Sequence, residues 1–142
     1  MILLDTNVIS EALRPAPSPT VVNWLNANHV NAAISSITIF ELEAGVGMLD
    51  AGGRKDALAN AIARMVRRFG SRVYAFDAAA AQAAARLLVQ ARKQGLGLHQ
   101  IPNKLADLQI AGVAHAYGLE LATRNVGDFA GLGIALTDPW AS

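Results

Sequence analysis

Short apolar runs alternate along this chain with longer stretches in which apolar residues recur every three or four positions. A short apolar run bounded by polar residues is typical of a buried strand, and the longer periodicity is typical of an amphipathic helix. The predicted strands cover residues 1–4, 32–35, 73–76, 120–123 and 134–136. The predicted helices cover residues 6–13, 19 to about 26, 38–49, 55–69, 78–94 and 104–117.

Strands that alternate with helices predict a parallel sheet covered on both faces. We therefore expect an α/β fold, a three-layer α/β/α sandwich with a central parallel sheet of about four to five strands. A length of 142 residues suits one domain, so residues 1–142 are expected to form a single unit.

The composition is that of a folded protein. Hydrophobic residues make up 53% of the chain and charged residues 16%, which argues against extended disorder. Cysteine is absent, so disulfides and thiolate metal sites are excluded, as suits a reducing cytoplasm. Met1 leads directly into the first strand, and no apolar run reaches the ~18 residues of a spanning helix. We expect a cytoplasmic protein without a membrane partner.

Positive charge is concentrated between residues 54 and 72, although the net charge is only +1. This segment could bind phosphates or could be the solvated face of a helix, and the spacing leaves both interpretations open. Its basic residues, set against the single acid Asp56, are Arg54, Lys55, Arg64, Arg67, Arg68 and Arg72.

Acidic residues follow several of the predicted strands. Asp5 ends the first apolar run, and open parallel sheets bind ligands at the carboxyl ends of their strands. A buried carboxylate there must be protonated, paired or coordinated to a metal. Asp128 lies in a loop beyond the fourth strand, where Asp is also an ordinary turn residue.

Two further acids have simpler alternative explanations. Asp107 falls in the first turns of a helix that Asn103 is predicted to cap, where a negative charge gains roughly 0.3 to 1 kcal/mol. Glu41 completes a capping box that begins at Thr38, and Glu43 competes with it for any role in a site. The spacing alone decides neither case.

In a parallel sheet these four acids would meet at one edge, and their mutual repulsion would require a cation. Carboxylate oxygens without cysteine select Mg²⁺ or Mn²⁺ over zinc.

Four stretches together resemble the PIN-domain ribonucleases, and most closely the VapC-type toxins of bacterial toxin–antitoxin pairs. They are LLDTNV at 3–8, SSITIFEL at 35–42, ADLQIA at 106–111 and LATRNVGDF at 121–129. The resemblance implies catalytic roles for Asp5, Glu41, Asp107 and Asp128, and it favours Glu41 over Glu43. It also implies that Asp5 and Asp107 are the direct metal ligands. Supporting side chains would be Thr6, Asn7, Thr123 and Asn125.

The implied activity is that of an endoribonuclease in which Mg²⁺, or Mn²⁺ as a substitute, activates water and leaves 5′-phosphate and 3′-hydroxyl ends. The implied partners are RNA, an antitoxin that inserts a segment into or over the cleft, and a second copy in a homodimer. Arg14, Lys104 and Arg124 are candidate RNA contacts. Lys104 departs from the usual pattern and could instead fill a metal position.

Two alternative functions can be compared with this prediction. A non-catalytic PIN-like module that binds RNA or protein would keep the acids without using them. An aspartyl-phosphate phosphatase would need a second Asp at position 7, where this chain has Asn7. Neither His99 nor His115 is placed as a general acid.

Overall fold

The computed structural model describes residues 1–95 and 104–141. Five strands form one sheet: β1 (Ile2–Leu4), β2 (Ala32–Ser35), β3 (Val73–Tyr74), β4 (Glu120–Ala122) and β5 (Leu136–Thr137). The helices are α1 (Thr6–Ala12), α2 (Pro19–Asn28), α3 (Ser36–Gly47), α4 (Gly53–Phe69), α5 (Ala78–Lys93), α6 (Leu105–Tyr117) and α7 (Val126–Phe129). None of the helices in these two ranges is long and apolar enough to cross a membrane.

All strand pairs are parallel, and the order across the sheet is β3-β2-β1-β4-β5. The chain starts at the central strand, builds outward on one side through β2 and β3, and then returns to build β4 and β5 on the other. The side of the sheet on which new strands are added therefore changes between β1 and β4. Open α/β sheets form a ligand crevice at this point, at the carboxyl ends of the strands.

Alternate residues of the central strands face opposite layers, as the period of two requires. Leu3 and Leu121 pack in the core beneath α5 and α6, while Leu4 and Ala122 pack in the core that α1 to α4 cover. Full burial of a leucine side chain contributes about 1.5–3 kcal/mol. The predicted three-layer α/β/α sandwich with a parallel sheet is confirmed.

The alanine-rich α5 allows its close approach to α6. A Cβ at Gly112 of α6 would lie 2.6 Å from the Ala80 carbonyl oxygen and 2.7 Å from the Ala84 Cβ. This contact fixes α6 tightly against α5 and thereby sets the position of the first turn of α6 at the edge of the sheet.

Several predicted boundaries needed correction. The third strand ends at Tyr74, two residues early, and the fifth is Leu136–Thr137 instead of 134–136. Helix α6 begins at Leu105 with Lys104 at the capping position, and the predicted cap Asn103 lies outside the described residues.

Candidate active site

Asp5 stands at the carboxyl end of β1, beside the end of β4. Its backbone N–H donates to the Ala122 carbonyl at 2.9 Å, which extends the pairing of the two strands by one residue. Its carboxylate oxygen Oδ2 accepts a hydrogen bond from Thr123 Oγ1 at 2.9 Å. Asp5 is only 2% exposed and Thr123 is fully buried, so the sheet itself positions this carboxylate.

Burial raises the pKa of Asp5, and the negative charge of Glu41 raises it further. The Thr123 hydroxyl and the backbone at Thr6 and Asn7 act in the opposite direction. A buried carboxylate whose pKa stays raised despite these donors is a position where a cation would be stabilised.

Helix α3 presents Glu41 to the same region. The capping-box prediction was wrong: α3 begins at Ser36, and Ser35 caps it by accepting from the Thr38 N–H at 3.3 Å. Glu41 is free of any capping role, and its Oε1 accepts from Thr6 Oγ1 at 2.6 Å. Glu43 is exposed, so Glu41 is the acid that faces α1.

A second hydroxyl extends this contact. Thr6 Oγ1 also lies 2.9 Å from Thr38 Oγ1. Because a hydroxyl donates only one hydrogen, Thr6 donates to Glu41 and accepts from Thr38. The sequence interpretation missed Thr38 as a support of the site because its Ser/Thr-x-x-Glu spacing was assigned to a cap.

Asp107 lies in the first turn of α6 and is half-buried. Burial raises its pKa to about 6, and the charge on Asp5 is the next cause. Glu41 and Asp128 raise it further, while Lys104 lowers it. Asp107 is therefore within electrostatic reach of the three other acids that the sequence singled out.

The fourth acid, Asp128, has a positive partner. Lys104 Nζ lies 2.8 Å from Asp128 Oδ2, and this hydrogen bond raises the pKa of Lys104. The two residues also bring the start of α6 next to α7. Asp128 enters the site as half of an ion pair, in contrast to Asp5 and Asp107.

The donor set suits a hard divalent cation. Within the two described ranges, no three acidic or histidine side chains are grouped closely enough to hold one ion together. Mg²⁺ needs only one or two protein carboxylates and keeps water in its other positions, so Asp5 and Asp107 fit it. Burial is the main reason that both pKa values are raised, and neighbouring acids add to it, so a bound cation would stabilise the ionised forms.

The remaining predicted residues are distributed around the acids. Asn7 is exposed, and Asn125 N–H donates to Thr123 Oγ1 at 3.1 Å. Arg14 forms an ion pair with Glu11 at 3.2 Å, and the Arg124 guanidinium lies 5.2 Å from the centre of the Trp140 ring. His115 is exposed, and His99 lies outside the described residues.

A groove of about 670 Å³ opens beside Glu41 and Thr6. It runs between α1, α3 and α4. Its lining is largely apolar, with two arginines, and includes Leu13, Leu42, Val46, Leu58, Ile62, Arg14 and Arg54.

Comparison with known proteins gives the family of this chain. The family model described as "PIN domain" matches residues 2–132. The toxin FitB of Neisseria gonorrhoeae is 37% identical over 142 residues, which is 99% of each chain. The VapC ribonuclease Y4jK of Sinorhizobium fredii is 34% identical over 142 residues, which is 99% of this chain and 98% of that protein.

The crystal structure of FitAcB from Neisseria gonorrhoeae superposes with a TM-score of 0.89 at 37% identity and covers 100% of both chains. The family resemblance predicted from the four motif stretches is confirmed: this chain belongs to the PIN-domain family, among the relatives of the VapC-type toxins.

Proposed function

We propose that this protein is a metal-dependent endoribonuclease and the toxin of a toxin–antitoxin pair. The observation that carries the proposal is the grouping of four acids at the carboxyl edge of the sheet, where β1 and β4 meet. The charges of Asp5, Glu41 and Asp128 all raise the pKa of Asp107. An acidic cleft at this edge is suited to holding Mg²⁺ against a phosphodiester. One relative in the same family is named a ribonuclease.

Asp5 and Asp107 would hold the ion, and Glu41 and Asp128 would act beside them. When bound, Mg²⁺ supplies positive charge at the scissile phosphate and makes nearby water more acidic. Thr123 orients the Asp5 carboxylate, and Thr6 orients Glu41. Lys104 binds Asp128 and holds it in place.

The test is cleavage of a single-stranded RNA by the purified chain with Mg²⁺, with Mn²⁺ and with a chelator. We expect cleavage only with metal, and 5′-phosphate ends on the products. Asp5→Asn should lower the rate by roughly 10²-fold or more, as loss of a charge-stabilising group does. Asp50→Asn, an exposed acid outside the cleft, is the control.

The competing function is a non-catalytic module that binds RNA or protein. It predicts no metal-dependent cleavage and no change in melting temperature when Mg²⁺ is added. Retained toxicity of Asp5→Asn in cells would also contradict the nuclease mechanism.

The antitoxin would place a segment in the groove between α1, α3 and α4. The apolar lining suits an amphipathic segment, Arg14 and Arg54 suit acidic side chains on it, and Glu41 lies at the groove. Ala57→Trp should fill the groove and prevent the cognate antitoxin from neutralising the toxin. Asn60→Trp on the same helix lies outside the groove and should leave neutralisation intact.

The homodimer stays a prediction that rests on the family resemblance, and the cytoplasmic location stays a prediction that rests on the composition and the apolar pattern of the sequence. Sedimentation velocity of the purified chain tests the homodimer. Fractionation of expressing cells tests the location.

A further inference from the structure

Arg124 lies between two residues of the acidic cleft. It follows Thr123, whose hydroxyl donates to Asp5, and the Asn125 N–H donates to Thr123 Oγ1 at 3.1 Å. Helix α7, which carries Asp128, begins two residues after Arg124. The backbone of Arg124 is therefore fixed at the carboxyl end of β4, next to the first acid, while its side chain is exposed.

Trp140 reaches the same edge of the sheet from the neighbouring strand. Strands β4 and β5 are parallel, and the Thr123 N–H donates to the carbonyl of Thr137, the last residue of β5, at 2.9 Å. In the turn that follows, the Trp140 N–H donates to Asp138 Oδ1 at 2.9 Å. The half-buried Trp140 ring packs against the core cluster that contains Ala122. Both the backbone and the ring of Trp140 are therefore anchored.

The side chains of these two residues are in contact. The Arg124 guanidinium lies 5.2 Å from the centre of the Trp140 ring. A cation at this distance is attracted to the face of an aromatic ring, and Trp attracts it more strongly than Tyr or Phe does. The pKa of Glu11 on α1 is lowered mainly by the Ser18 N–H, and a hydrogen bond with the Trp140 side chain lowers it further. Trp140 therefore connects α1 to the loop that carries Arg124.

Arg124 is suited to binding phosphate because the group that holds it is an uncharged ring. The four carboxylates of the cleft repel the phosphates of an RNA strand. Two other basic side chains of the region are bound to acids, Lys104 to Asp128 and Arg14 to Glu11. A cation–π contact leaves the positive charge in place, and a guanidinium can bind one phosphate through two parallel hydrogen bonds.

We infer that Trp140 is a positioning residue, which holds the Arg124 guanidinium at the rim of the cleft for a phosphate of the RNA strand. This inference rests on the proposed ribonuclease function and adds two residues that hold the substrate. Without the ring, the long Arg124 side chain would have to be ordered when RNA binds. That ordering weakens binding by roughly 2- to 10-fold.

The experiment measures RNA binding separately from cleavage. The variants are made in the Asp5→Asn background, and binding of a fluorescein-labelled single-stranded RNA is followed by anisotropy at several salt concentrations. Arg124→Met should raise the Kd and lower the slope of log Kd against log salt by about 0.7, the value for one phosphate contact on a single strand.

Trp140→Leu should raise the Kd by roughly 2- to 10-fold and leave the salt slope unchanged, because the charge of Arg124 remains. Trp140→Phe keeps an aromatic ring beside the guanidinium and should restore most of the binding. In the Arg124→Met chain, Trp140→Leu should cause no further loss, and this double-mutant cycle separates positioning from a role in the fold.

Trp24→Leu is the matched control, because Trp24 on α2 packs against the same core cluster as Trp140. It should lower the melting temperature, as Trp140→Leu does, and leave the Kd unchanged. A second measurement keeps the Trp140 ring. The chain has two tryptophans, so Trp24→Phe leaves Trp140 as the only one. Its emission should change when RNA binds, and this change should be lost in Arg124→Met.

Four results would overturn the inference: no RNA binding by the parent chain, an unchanged Kd and salt slope in Arg124→Met, Trp140 emission that RNA does not alter, or a loss in Trp140→Leu that is as large without Arg124 as with it. The last result would assign Trp140 to the fold alone. Failure of the proposed nuclease function has a different signature, because RNA binding would still depend on Arg124 and Trp140 while no metal-dependent cleavage occurs.

Discussion

The hydroxyl of Thr123 donates a hydrogen bond of 2.9 Å to Asp5 across 118 positions of sequence. It links the ends of β1 and β4, the neighbouring strands at which the strand order changes sides of the sheet. Since both residues are buried, the geometry of the first acid depends on a side chain from the opposite end of the chain.

Thr123→Val should therefore weaken both the fold and the site. The variant keeps the shape of the side chain but removes the donor, and the pKa of Asp5 should rise further. We expect the free energy of unfolding to fall by about 1–3 kcal/mol, because a buried carboxylate loses a hydrogen bond. Urea unfolding measures this change. Metal affinity should fall by roughly tenfold.

Thr20→Val on α2 provides the control for this substitution, because Thr20 lies outside the acidic cleft. Equal losses of stability in the two variants would show that the hydroxyl of Thr123 has no special role.

Asp107 should make the stability of the metal-free protein depend on pH. Its pKa in the folded state, about 6, lies above the ordinary value of 3.8, so folding favours the protonated form. The stability from this group is complete below about pH 4 and is lost as pH rises through about 6.

Asp107→Asn should remove this dependence. At pH 7 in a chelator, the variant should be more stable than the wild type by roughly 1–2 kcal/mol, because solvent screens part of the interaction at this half-buried carboxylate, and near pH 4 the difference should be small. Denaturant unfolding at both pH values measures it. An identical difference at the two pH values, or one matched by Asp50→Asn, would contradict the assignment.

Lys104→Met should shift the titration of Asp107 to higher pH. Lys104 lowers the pKa of Asp107 through its charge and binds Asp128 directly. Its removal leaves more negative charge around Asp107, so the carboxyl should titrate above about 6 in a metal-free NMR titration. Lys93→Met, at the exposed end of α5, should not move it. An unchanged titration in Lys104→Met would exclude this coupling.

Gly112→Ala should test the contact between α5 and α6. The added Cβ would lie 2.6 Å from backbone at Ala80, so one helix must move, and such overpacking costs about 1–3 kcal/mol. Gly47→Ala in α3 meets no atom within 4 Å and should be neutral or stabilising by up to about 1 kcal/mol. Thermal unfolding compares the two. A neutral Gly112→Ala would show that the helices can separate without loss.

The pattern of apolar positions was sufficient for most of the fold, because burial repeats every two residues in a strand and every three to four in a helix. The strand Ala32–Ser35 and the buried residue Ile62 of α4 follow directly from it. The start of α3 could not be predicted from this pattern, because Ser35 and Thr38 are both residue types that cap helices. The contact of Thr38 with Thr6, 32 residues away, accompanies the choice of Ser35 as the cap.

By itself, the sequence determined the order of strands and helices, the parallel sheet and the family, since each is written in local periodicity or in short motifs. The catalytic roles of the four acids stay predictions. Only the tertiary structure decided that Thr6 binds Glu41, that Lys104 binds Asp128 and that the pKa of Asp107 rises to about 6. The physical reason is that burial and charge interactions depend on distances between residues far apart in the chain, and those distances exist only after the helices have packed on the sheet.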